Sequence, residues 1–300
     1  MTLVWLMAIT VTGALVRLTG SGLGCTDWPN CTVNTELDAP GFHSAIEFGN
    51  RMISGLAIIP VVAGWMAARR GARSDMTVWF AAMVIGFLGQ VVLGMLVTRT
   101  ELDPRVVLGH FLLSIVLIFL GVVLDFLARV EVTDQSLSPA AASVNGKRRN
   151  HALFMLLSAT AVIVVGTLVT GSGPHTGSES SGEPIPRLGF DIVDISRTHS
   201  LLGWLLVALV VWGLIQHRPQ DNEVPWSAHD RSWFYRIGAL SIIQGGIGYL
   251  QYATGVPVGL VALHIVGAVV LWTVVAWYAI DTIYPGIPDE SYRQQPEFVS

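Results

Sequence analysis

From Gln90 the chain reads QVVLGMLVTRTELDPRVVLGH, and from Gln244 it reads QGGIGYLQYATGVPVGLVALH. Laid over each other without a gap, these stretches match Gln90 to Gln244, Gly94 to Gly248 and His110 to His264, all at one offset of 154 residues. Each copy ends with a histidine just inside a long apolar segment. A duplication of this kind restricts the fold to two similar units, each with the histidine at an equivalent place.

The units belong in a bilayer. Of the 300 residues, 52% are hydrophobic and only 13% are charged, too apolar for an ordinary soluble domain. The formal charge of −4 and the lack of a basic stripe argue against nucleic acid as a partner. Met1 to Leu18 has neither a basic start nor a small-residue cleavage site, so it reads as a first membrane helix rather than a secretory signal. A hydrocarbon core about 30 Å thick needs about 20 helical residues. Eight segments approach that length, near 3–18, 43–68, 76–98, 106–128, 152–170, 196–216, 233–254 and 257–281. With these spans, eleven Lys and Arg fall on one side and six on the other, which predicts that both termini are cytoplasmic. The polar, basic stretch VEVTDQSLSPAAASVNGKRRN reads as a cytoplasmic linker. The expected architecture is all-α and integral to the membrane. Residues 1–130 form an N-terminal four-helix bundle, 131–151 a linker, 152–284 a C-terminal four-helix bundle and 285–300 a cytoplasmic tail. Four spans per half give both halves the same orientation, so a pseudo-twofold axis along the membrane normal relates the tandem bundles.

The repeat also extends to the first helix of each half. Gly13-Ala14-Leu15-Val16 followed by Thr19-Gly20-Ser21-Gly22 resembles Gly166-Thr167-Leu168-Val169 followed by Thr170-Gly171-Ser172-Gly173, with two residues missing from the second copy. The glycines are expected to end these helices in a turn. A phosphate cradle is a weak reading, since no strand precedes Gly20, Gly22 and Gly24 and no Lys-Ser/Thr follows.

Ionisable residues in a membrane helix are costly and normally face a bundle interior. In HSAIEFGNRMISGLAII, Glu47, Asn50 and Arg51 share one helix face. A plain Glu47–Arg51 ion pair is one reading of them and a working acid is the other. Sliding EFGNRMISG onto SRTHSLLGW puts Asn50 over His199. Four positions then lie at similar depth: Asn50 and His110 in the first half, His199 and His264 in the second. Histidines on facing helices of a bundle suit an iron porphyrin, which takes an imidazole on each face of the macrocycle. Core histidines satisfied by hydrogen bonds, or a proton relay, are the alternatives. Zinc fits less well, because no carboxylate or thiolate stands at ligand spacing. His43 lies two turns before Asn50 on roughly the same face. His151, His175, His217 and His229 read as solvated. Cys25 and Cys31 bracket TDWPN in the first outer loop, and their separation permits a disulfide there, either as a staple or as a redox-active pair.

GALVRLTGSGLGC with Cys31 six residues on, IEFGNR, LGH at His110, THSLLG at His199 and ALH at His264 together resemble the haem A synthase family, and the resemblance covers almost the whole chain. It implies a bacterial plasma-membrane oxidoreductase that converts the C8 methyl of haem O to a formyl group, with haem O synthase as membrane partner. It implies that the first half binds the substrate haem through His110, with Asn50 where the family typically shows histidine, and that Glu47 is the catalytic acid residue. It further implies haem b between His199 and His264 in the second half. A carboxylate in a low-dielectric bundle would stabilise positive charge developing at the methyl carbon or accept a proton, while haem b would carry electrons to an external acceptor. The competing classes are a dihaem membrane cytochrome b exchanging electrons with quinone, and a haem-handling transporter.

Overall fold

The structure is a computed structural model that describes residues 2–32, 41–71, 73–129, 146–178, 185–216 and 228–284. Most of the linker, the tail and His217 lie outside the described residues. Within them the regular secondary structure is helical, and one isolated antiparallel bridge joins Ser21 to Ser178. The helices are α1 (Thr2–Leu18), α2 (Phe42–Leu56), α3 (Ile58–Arg70), α4 (Ser74–Arg99), α5 (Pro104–Arg129), α6 (Gly146–Ser172), α7 (Ile192–Gln216), α8 (Ala228–Ala253) and α9 (Val258–Ile283). Six stretches are long and apolar enough to cross a membrane: α2 with α3, then α4, α5, α6, α7 and α9. Their outward faces carry bare aliphatic side chains, with Val78 69% and Ile85 70% exposed. Water would not tolerate such faces and hydrocarbon does, so the chain is a multi-pass membrane protein.

The helix ends follow from local chemistry. Asp103 precedes Pro104, the first residue of α5, where a missing N–H costs nothing. The Asp103 carboxylate accepts the Arg105 N–H at 2.8 Å, and its hydrogen bond from the Arg105 side chain holds that carboxyl below the usual range. Asp191 accepts the N–H groups of Val193 and Asp194 at 2.9 and 3.0 Å at the start of α7. Gly20, at φ 68°, lets the chain reverse after α1. The segment expected as one helix over 43–68 is two. Pro60 has no N–H for the carbonyl of Leu56, and α2 ends at that residue.

Packing follows the duplication. Helix α1 packs on α2 and α5, α3 on α4, and α4 on α5; α6 packs on α7 and α9, α7 on α8, and α8 on α9. Helix α5 meets α6, and α1 and α5 meet α9, whose Trp272 indole N–H donates to the Ile115 carbonyl of α5 at 3.1 Å. Even irregular geometry recurs. Glu101 and Leu102 have φ of 51° and 65°, and their repeat partners Gly255 and Val256 have 79° and 60°. Positive φ is unfavourable for a β-branched residue, so the shared turn outweighs a local cost at Val256.

Close packing recurs too. A Cβ on Gly64 would lie 2.5 Å from Phe80 Cζ, and one on Gly213 would lie 2.7 Å from Phe234 Cζ. Phe234 is fully buried and has nowhere to move. Gly213→Ala gains up to about 1 kcal/mol of helix propensity against an overpacking cost of about 1–3 kcal/mol. The expected result is earlier thermal unfolding in detergent, with recovery on adding Phe234→Leu; a rise in stability from the single substitution would contradict this packing.

Candidate functional site

Four polar residues face four glycines. Asn50 is on α2, His110 on α5, His199 on α7 and His264 on α9, and each meets a glycine of the helix before it. A Cβ on Gly166 of α6 would lie 2.9 Å from His199 Cε1, and one on Gly248 of α8 would lie 3.3 Å from His264 Cε1. For Gly94 of α4 the distance to His110 Cε1 is 3.5 Å, and for Gly13 of α1 the distance to Asn50 Nδ2 is 3.8 Å. The missing side chain opens a notch in the neighbouring helix, and the ring or amide lies in it. Asn50 therefore has the same kind of seat as the three histidines. The repeat contained this signal, since Gly94 and Gly248 align, as do Gly13 and Gly166.

In the second half the two rings confront each other. The centroids of His199 and His264 are 6.1 Å apart, with planes at 68°. His199 Nδ1 donates to the Val162 carbonyl at 3.0 Å, so its Nε2 keeps the lone pair. Two metal–nitrogen bonds of about 2 Å, plus the half-width of each imidazole, account for a separation of that size. Iron in a porphyrin, which needs only two axial ligands from the protein, suits this pair. Among the described residues no cluster of three or more His, Cys, Asp or Glu could hold a bare metal ion, so a closed zinc site has no ligand set there. His264 Nδ1 is buried without a hydrogen-bond partner.

In the first half only one of the two seats holds an imidazole. His110 Nδ1 is buried without a partner, and so is Asn50 Oδ1. Gln90 donates to the His110 carbonyl at 3.1 Å and to Ser114 Oγ at 2.9 Å, fixing α4 against α5 beside the ring. Glu47 is buried and fully engaged. Its Oε1 accepts from Arg51 at 2.5 Å and its Oε2 from the Cys25 N–H at 2.9 Å. Arg51 also donates to the carbonyls of Asp27 and Asn30 at 2.9 and 2.8 Å. Cys25 and Cys31 form a disulfide with Cα atoms 4.7 Å apart. The loop they close thus lies directly on the Glu47–Arg51 pair. Gly24 is required there, because a Cβ would lie 2.5 Å from the Ser44 amide nitrogen. His43 Nδ1 pairs with Ser21 Oγ at 2.9 Å, away from the Asn50 seat.

Two of the histidines expected in solvent are not there. His151 is fully buried, hydrogen-bonded to the Tyr278 hydroxyl and the Leu209 carbonyl at 2.9 Å each. Helix α6 begins several residues earlier than expected, which carries His151 inside. His175 is half-buried and donates from Nε2 to the Val256 carbonyl at 2.9 Å. The side chain of His229 lies outside the described residues. Arg17 and Arg187, which no sequence pattern singled out, converge on the end of α6: both donate to the Thr170 carbonyl, at 3.2 and 2.7 Å.

Residues 1–36 and 32–276 match the COX15-CtaA family, described as cytochrome oxidase assembly protein. The chain is 25% identical over 272 residues to a protein named Heme A synthase from Bacillus mycoides, covering 86% of this chain and 84% of that one. With the Heme A synthase of Geobacillus thermodenitrificans it shares 32% identity over 104 residues, 34% of this chain; the match spans only about a third of that relative, 32% of its length. It also shares 42% identity over 69 residues with a protein named Protoheme IX farnesyltransferase from Thermus thermophilus, 23% of this chain and 11% of that one.

The coupling of Glu47 to Arg51 can be measured. Removing one partner of a buried pair typically costs about 3–5 kcal/mol; Arg51 keeps its carbonyl acceptors, so the expected loss for Glu47→Gln is near the lower end, seen as earlier unfolding in detergent. Glu47→Gln with Arg51→Met is expected to lose less than the two single losses added together. Strict additivity would mean that the pair is not coupled.

Proposed function

The chain belongs to the COX15-CtaA family of cytochrome oxidase assembly proteins, and from that membership we propose that it acts as a haem A synthase, oxidising the C8 methyl of its substrate haem O to a formyl group. The observation that carries this reading is the facing pair His199 and His264, each in a glycine notch, with a third imidazole and a carboxamide in the equivalent seats of the other half. The proposed architecture adds α1 and α8 to the six spans. It gives eight spans in two tandem four-helix bundles, 1–130 and 152–284, related by a pseudo-twofold axis along the membrane normal, with the linker 131–151, the tail 285–300 and both termini in the cytoplasm.

His199 and His264 are the proposed iron ligands of haem b. When bound there, haem b supplies one-electron transfer. Val162 holds the His199 ring in the tautomer that presents Nε2 to the pair. Haem O is the substrate of the first half, with His110 as the single imidazole on its iron. Asn50 occupies the opposite seat, and a carboxamide is a far weaker iron ligand than imidazole, so that face stays open. Glu47 stands three residues before Asn50 on the same helix face. As the methyl carbon is oxidised it loses hydrogens and becomes electron-poor, and a fixed carboxylate nearby stabilises that charge or takes a proton. Arg51 and the Cys25 N–H hold both carboxylate oxygens in place, so Glu47 needs no reorientation as charge develops. The relative named Protoheme IX farnesyltransferase supports a membrane partner that makes haem O and passes it on.

The test is to supply purified protein with haem O and a redox partner and to weigh the extracted porphyrin. A mass change matching methyl to formyl is expected; unchanged porphyrin with reversible haem spectra would make the protein an electron carrier, and absence of both would leave transport. Glu47→Ala is expected to keep haem b yet lose formyl production by about a hundredfold or more. Full activity in that variant would reduce Glu47 to its ion pair. His199→Ala and His264→Ala are each expected to abolish the low-spin haem b signal, and a normal spectrum in either would remove it as a ligand. With haem O bound, wild-type protein is expected to show one additional five-coordinate, high-spin haem, which Asn50→His converts to low spin. Identical spectra in the two proteins would place Asn50 away from the iron.

A further inference from the structure

Arg17 and Arg187 together form a concentration of positive charge that no carboxylate among the described residues neutralises. Arg17, in the last turn of α1, donates from Nη2 to the carbonyls of Thr170 and His175 at 3.2 and 2.9 Å. Arg187, in the connection before α7, donates from Nη2 to the carbonyls of Thr170 and Gly173. These oxygens belong to the C-terminal end of α6 and the turn after it. A helix end of this kind carries roughly half a negative charge, whereas the guanidiniums bring two full positive ones. Among the described residues neither arginine has a carboxylate within ion-pair reach. Both Nε atoms are buried without a partner, as is Ser172 Oγ in the same turn. Burial holds the Arg187 guanidinium below its ordinary value, the direction expected of a cation taken out of water.

The position of the cluster indicates the anion. Thr170 lies about 6 Å along α6 from Gly166, the glycine that seats His199. On the other side, His175 is tied to Val256 just ahead of α9, the helix that carries His264. The guanidiniums therefore stand about one helical turn beyond the histidine pair, at the height of the edge of any macrocycle held between the two rings. A porphyrin that bears carboxylate side chains on one edge matches this arrangement. We propose that Arg17 and Arg187 bind the carboxylates of the haem held by His199 and His264, so that one haem ties α1 of the first half to α6, α7 and α9 of the second. This rests on the assignment of those histidines as iron ligands.

The full-length chain, produced in haem-deficient cells, can be titrated with protohaem and with its dimethyl ester, which keeps the iron and the ring but has no carboxylates. Wild-type protein is expected to bind the diacid about tenfold more tightly or better, the scale of a charge-assisted hydrogen bond. In Arg17→Gln and Arg187→Gln that ratio is expected to fall toward one, with the low-spin spectrum at saturation unchanged. Arg187→Lys, which keeps a cation on the α6 carbonyls, is expected to restore part of the preference. Equal affinity of wild-type protein for the two porphyrins, or a ratio untouched in both glutamine variants, would overturn the proposal and leave the histidine assignment standing. Failure of wild-type protein to give a low-spin spectrum with either porphyrin would instead remove the histidine assignment, and this proposal with it. If a glutamine variant does not accumulate in membranes, the wild-type comparison of the two porphyrins decides the matter.

Discussion

A polar ring inside a helical membrane protein needs room as well as a partner, and here a glycine on the adjacent helix supplies the room four times. Gly13, Gly94, Gly166 and Gly248 each let a neighbouring side chain lie against bare backbone. Small residues at helix crossings are common in bilayers because they bring backbones close. In this chain they also lie against Asn50, His110, His199 and His264. A side chain at Gly166 or Gly248 would press on the histidine that faces it, at 2.9 and 3.3 Å, so in the second half the seats tie helix register to site geometry. Each contact fixes its residue against the helix before it, in the order that the sequence repeat lays down.

Glu47 shows how a carboxyl group can be held still in such surroundings. One oxygen takes Arg51 and the other takes a backbone N–H of the disulfide loop. The plain ion-pair reading and the working-acid reading are therefore not exclusive. The cation that offsets the cost of burial also fixes the carboxylate's direction, and preorganised charge is most effective when it does not reorient. Arg51 reaches onward to two loop carbonyls, which makes the loop conformation part of the same network. The disulfide limits that loop to a narrow set of shapes, and Gly24 allows it to lie flat on α2.

Much of this was legible in the sequence because apolar length and internal repetition are strong, redundant signals. All eight apolar segments correspond to helical stretches, with ends displaced by a few residues where polar flanks such as Lys147 to Asn150 continue the helix. The paired rings of His199 and His264 were legible because the repeat placed them at one height. The break between α2 and α3 was not, although Pro60 was in view. Long membrane helices often accommodate a proline, and only the local geometry shows this one ending α2. The burial of His151 is hidden from the sequence for a related reason. The residue follows the basic run KRRN, which reads as interface, and its burial is decided by Tyr278, 127 residues away. Contacts over that distance leave no local trace.

The two copies differ in one way that bears on how they are joined. Arg17 and Leu18 are the two residues by which the first GALV/TGSG motif exceeds the second. That excess is where α1 reaches across the molecule, with Arg17 donating to Thr170 and His175 while the Gly22 amide donates to the Gly177 carbonyl at 2.8 Å. Leu102 fills the space beneath, against Gly22 and Gly177. Two identical units would have matched, self-complementary ends. The extra two residues break that symmetry and give the first half a cation that only the second half's helix end can accept. Divergence at this join and divergence at Asn50 point the same way. Once the halves hold different residues at equivalent seats, they no longer need to be interchangeable, and an asymmetric contact fixes which one lies on which side.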